Sequence, residues 1–97
     1  MLSRLPLTIV MASALFWAAG LTGARAADPA FCQNYAQAAV NQVRGGLSQP
    51  SCAGGLRGAR WSQDYRVHYN WCLGASFEAA GAERDARTNF LRACRPG

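Results

Sequence analysis

Arg60-Trp61-Ser62-Gln63-Asp64-Tyr65-Arg66-Val67-His68-Tyr69-Asn70-Trp71-Cys72 holds two of the chain's three tryptophans, two of its three tyrosines, its single histidine and one of its four cysteines. At a helical period Trp61, Tyr65, His68, Cys72, Ala75 and Ala79 fall on one line. Tyr69, Leu73 and Ala80 widen that line into a broad apolar face, while Arg66, Asn70 and Glu78 lie off it. The pattern predicts a helix that starts near Ser62, with Asp64 well placed in its first turn. Trp71 falls on the flank of the face, beside Val67. It is expected to cover the long loop that precedes the helix; the other choice is partial exposure for a partner.

Working outward, Asp28-Pro29 reads as a helix start, an acidic N-cap with proline at the first helical position. Residues 29–44 then place Phe31, Cys32, Tyr35, Ala36, Ala39, Val40 and Val43 at helical spacings, and Gly45-Gly46 is expected to end the run. Residues 45–60 break every period with Ser48, Pro50, Ser51, Gly54, Gly55 and Gly58, so a long loop is expected, anchored by Cys52. A phosphate cradle at Gly54-Gly55 is excluded, because the stretch lacks the lysine and the hydroxyl residue that a P-loop needs. Gly81 is expected to mark a turn. A third helix over 82–94 would then bury Ala82, Ala86, Phe90, Ala93 and Cys94 and leave Glu83 and Arg87 as an exposed ion pair. The fold class is therefore all-α, a disulfide-stapled bundle of about three short helices with one long loop.

Residues 1–26 read as a secretory signal peptide. Arg4 gives the charged start, residues 5–15 with Phe16 and Trp17 the apolar middle, and Ala24-Arg25-Ala26 the small-x-small cleavage site. Pro6 and Gly20 limit the apolar run, which is short for a membrane span. Residues 27–97 are left as one small domain, too short for a generous core, so a covalent staple is expected. Cys32, Cys52, Cys72 and Cys94 supply it: an even number in an exported chain implies two disulfides. Three pairings are possible. The favoured one is Cys32–Cys94 with Cys52–Cys72, tying the first helix to the last and pinning the loop to the second; the rival is Cys32–Cys72 with Cys52–Cys94. No two cysteines have zinc-ligand spacing, so no metal and no cofactor is expected.

The order Cys32-x-x-Tyr35-Ala36, then the stretch from Arg60-Trp61 to Trp71-Cys72, then Glu83-x-x-x-Arg87-x-x-x-Leu91-x-x-Cys94 resembles small exported four-cysteine proteins of alphaproteobacteria. The resemblance implies export to the periplasm or beyond and a helical, stapled architecture. It brings no catalytic residue with it.

Loss of Arg4 and Arg25 would lower the formal net charge from +5 to +3. That favours anionic partners weakly and, with no basic run, is no nucleic-acid footprint. For an enzyme the candidates are His68, Asp64, and Ser62 or Ser76 as nucleophile, none in a recognisable catalytic motif. His68 reads instead as a packed, neutral ring. The expected function is a structural or protein-interaction role in the cell envelope. The alternative is a binding module for a glycan or an anionic envelope component, using an aromatic and cationic patch of Trp61, Tyr65, Tyr69, Trp71, Arg57, Arg60 and Arg66. A hydrolase ranks last.

Overall fold

The computed structural model describes residues 26–96. The expected signal segment lies outside the described residues, Ala26 excepted. The elements in order are α1 (Pro29–Leu47), α2 (Pro50–Ala53), a 3-10 turn (Ala59–Trp61), α3 (Tyr65–Leu73) and α4 (Phe77–Cys94). No strand occurs among the described residues; Ala26 and Ser76 form one isolated antiparallel bridge. The all-α class holds, and the long loop carries a short helix of its own.

Each principal helix starts on a side-chain cap. Asp28 Oδ1 accepts the Phe31 N–H at 2.8 Å, Asp64 Oδ1 that of Arg66 at 2.9 Å, and Ser76 Oγ that of Ala79 at 3.0 Å. These bonds satisfy backbone donors that have no partner within the helix. The apolar face of α1 is as the spacing predicts: Cys32, Tyr35, Ala36, Ala39, Val40 and Val43 are buried, and Phe31 is partly buried. The helix does not stop at Gly45-Gly46, however. Gly46 is buried, and a Cβ there would stand 2.7 Å from both Leu56 Cδ1 and Leu91 Cδ2. The missing side chain lets the 45–60 segment and α4 close on α1, so this glycine serves packing and not termination.

The boundary between the last two helices also differs from expectation. α3 ends at Leu73 with Gly74 as its C-cap, and α4 begins at Phe77 behind the Ser76 cap, so Gly81 lies inside a helix. Restarting the helix turns its inner side. Ala80 and Arg87 are fully buried on α4, whereas Ala82, Phe90 and Ala93 are exposed. Arg87, expected on the surface, is among the largest side chains with no solvent contact.

The bridges are Cys32–Cys72 and Cys52–Cys94, with Cα atoms 5.6 and 5.2 Å apart. This corrects the favoured pairing of Cys32–Cys94 with Cys52–Cys72. Gln42 meets Thr88 at 2.9 Å, and the Gly46 backbone faces Leu91, so the C-terminal half of α4 lies along the C-terminal half of α1. Cys32 sits roughly 20 Å back from Gly46 at 1.5 Å per residue, far outside disulfide reach of Cys94. Cys72, near the end of α3, meets Cys32 instead. That bridge lies in a core cluster with Ala27, Tyr35 and Ala80, flanked by Phe31, Tyr69 and Leu73.

Candidate functional site

Where α1, α3, α4 and the 3-10 turn converge there is an open cleft of about 200 Å³. Tyr35 comes from α1, Arg60 from the 3-10 turn, His68 and Trp71 from α3, and Glu83 and Arg87 from α4; Ala59 and Val67 complete the lining. Trp71 is 45% exposed, and its ring lies tilted on that of buried Tyr35 with centroids 5.6 Å apart. It therefore does not cover the 45–60 segment. Trp61 is buried, its ring 5.2 Å from that of Phe90, and Phe90 in turn lies over Gly55 of that segment.

The electrostatics of the cleft centre on Glu83. Arg60 grips it with a two-pronged bond, Nε to Oε2 at 2.6 Å and Nη2 to Oε1 at 3.1 Å. The Arg60 bond holds the Glu83 carboxyl below its ordinary range, against a smaller opposing effect of burial; the same bond raises Arg60. Arg87 Nη1 stands 3.9 Å from Glu83 Oε2, too far for a hydrogen bond. Its Nε donates to Gln42 Oε1 at 2.7 Å, and its guanidinium carbon lies 5.1 Å from the centroid of the Tyr35 ring, within cation–π range. Nη1 and Nη2 of Arg87 have no hydrogen-bond partner among the described residues.

His68 is buried, as expected. Its Nε2 lies 2.7 Å from the Ser62 carbonyl oxygen; a carbonyl only accepts, so Nε2 carries the proton and donates. The bond fastens α3 to the 3-10 turn. Asp64, the candidate partner for His68, is engaged with Arg66, whose side chain and backbone N–H hold its carboxyl below the usual value.

The expected aromatic and cationic patch is thus divided. Only Arg60 and Trp71 line the cleft. Tyr65 and Tyr69 stack on each other with centroids 6.0 Å apart, and the Tyr65 hydroxyl reaches the Gln33 carbonyl oxygen at 3.5 Å. Arg57 Nε donates to the Gly54 carbonyl oxygen at 3.2 Å, and Arg66 pairs with Asp64 at the surface. Sequence reasoning missed Tyr35, Glu83 and Arg87 as cleft residues. The spacing of Glu83 and Arg87 signals a pair; it does not signal that one member is buried. Among the described residues no three His, Cys, Asp or Glu side chains gather as a metal seat, and no helix is long and apolar enough to cross a membrane.

Fold and site together define a class: a small disulfide-linked helical domain with one aromatic, arginine-lined cleft. Compared with protein-family models, curated proteins and solved structures, the chain matches none.

Proposed function

We propose that this is an exported, non-catalytic domain of the cell envelope that binds a partner through the Tyr35–Trp71–Arg87 cleft. The two disulfides are compatible with an oxidising compartment. The supporting observation for binding is the half-exposed Trp71 at a cleft whose wall includes a buried, incompletely paired arginine. Exposed tryptophan beside arginine is the composition of binding hot spots, and a buried arginine with open donors is an unfilled demand for an acceptor. Catalysis has less support, since His68 Nε2 is committed to Ser62 and Asp64 to Arg66.

The test compares the oxidised protein with Trp71→Ala as bait in envelope extracts, with acrylamide quenching of tryptophan emission as the second readout. The parent should retain an envelope component that Trp71→Ala releases, and that component should shield Trp71 while leaving buried Trp61 unaffected. Equal capture by both baits, or capture with Trp71 still open to quencher, refutes the cleft as the binding seat.

A further inference from the structure

The cleft's chemistry also specifies a ligand class, an inference that rests on the cleft being the binding seat. Arg87 is fully buried, yet both terminal nitrogens lack a partner among the described residues. The nearest carboxylate does not supply one: Glu83, gripped by Arg60, stands 3.9 Å from Arg87 Nη1, beyond hydrogen-bond reach. The Arg60–Glu83 fork neutralises itself, so the Arg87 guanidinium remains as the unmatched charge in the cleft wall. Its Nε is fixed by Gln42 and its face by Tyr35, and Gln42 is in turn held by its bond to Thr88. The two open nitrogens therefore form a positioned pair of donors. Such a fork matches the two oxygens of a carboxylate better than a point charge does.

Beside the Arg60–Glu83 pair and His68, the cleft wall offers apolar surface. Tyr35 and Trp71 present rings, and Val67 lies beside them. About 200 Å³ is room for one six-membered ring with a small substituent, since a cavity of about 150 Å³ holds benzene. We propose that the cleft binds a carboxylate carried on a single six-membered ring, sugar or aromatic, with the carboxylate on Nη1 and Nη2 of Arg87 and the ring against Trp71. Both nitrogens are closed to solvent, so a side chain of the cleft wall shifts to admit the ligand, whose ring then lies against Trp71.

The experiment titrates the oxidised, isotopically labelled protein with D-glucuronate, benzoate, D-glucose, benzyl alcohol, acetate and inorganic phosphate, following the Arg87 Nε–H and Trp71 indole N–H signals by NMR. Glucuronate or benzoate should shift both signals saturably, and which of the two binds tighter tells a sugar acid from an aromatic one. The matched neutral ring should bind about tenfold more weakly or less. Acetate should be weaker than the ring acids, and phosphate should not outcompete them. Arg87→Met, which keeps the bulk and buries no charge, should remain folded by circular dichroism and lose the preference for acid over neutral ring. Arg87→Lys should keep the charge but lose most of the preference. If neutral rings bind as well as acids, or phosphate binds best, the carboxylate assignment falls while the cleft stands as a seat. If no ring compound moves either signal, the assignment falls as well, and the envelope-extract comparison with Trp71→Ala decides the seat separately.

Discussion

Removing one bridge at a time measures what holds so small a domain together. Cys32→Ala with Cys72→Ala frees a link spanning 40 residues, and Cys52→Ala with Cys94→Ala one spanning 42. For loops of these lengths the chain-entropy relation gives nearly the same value, about 4 kcal/mol each at 25 °C. That is close to the whole stability at the low end for small domains, about 5 kcal/mol. Packing should separate the two. Cys32 and Cys72 are both fully buried in the cluster with Ala27, Tyr35 and Ala80, whereas Cys94 keeps some exposure. Deleting two core sulfurs leaves a void that costs roughly 1–2 kcal/mol more. The Cys32/Cys72 double variant should therefore be the less stable one and sit at the edge of unfolding. The assay is urea unfolding followed by far-UV ellipticity. The parent's connectivity is checked first: cleavage after arginine puts each cysteine on a different peptide, so non-reducing mass spectrometry should join the peptide ending at Arg44 to 67–84, and 45–57 to the one beginning at Ala93. A loss below about 1 kcal/mol in either variant, or a larger loss for Cys52/Cys94, would refute the reasoning.

Four further outcomes are expected. Gly45→Ala, with nothing within 4 Å of the new Cβ, should raise stability by about 0.5–1 kcal/mol. Gly46→Ala next to it, crowding Leu56 and Leu91, should lower stability by about 1 kcal/mol or more in the same urea assay. Ser76→Ala removes the cap that accepts the Ala79 N–H and should cost about 1 kcal/mol, read as a lower urea midpoint. The Glu83 carboxyl is depressed chiefly by its bond to Arg60. Its contribution should therefore be complete above the unfolded-state value of about 4.3 and vanish as pH falls through the lower folded value. Glu83→Gln should cost about 1–2 kcal/mol near neutrality and progressively less as pH falls below the unfolded-state value, by urea midpoints across that range.

The readable parts of the fold were those that local chemistry decides. Asp28-Pro29 and the spacing from Cys32 to Val43 fixed the start and inner face of α1, because cap and period act within a few residues. Gly46 misled because a glycine that ends a helix and one that admits a neighbour look alike until Leu56 and Leu91 are in place. The α2 turn had a signal in Pro50 at its first position, hidden among breakers. The α4 start at Ser76 was masked by an apolar pattern that continues smoothly across Gly74. The site was least legible. A hydrophobic pattern places charge outside, whereas Arg87 is held inside by Gln42, 45 positions away, and by the Tyr35 ring on another helix. Trp71 was visible as the tryptophan off the main stripe; which of its two fates it met is set by its contact with Tyr35 on another helix.

The bridge between Ala26 and Ser76 has a consequence for the expected cleavage after Ala26. Ala27 is only 4% exposed, and its N–H reaches the Ala75 carbonyl oxygen at 2.7 Å. A peptidase cutting a leader after Ala26 must draw those same residues, extended, into its own groove. Once the domain has closed, they are already paired along the 75–76 segment. Were the expected leader cut there, the cut would have to precede closure, and the freed amine of Ala27 would lie just past the carboxyl end of α3, where the helix dipole favours positive charge.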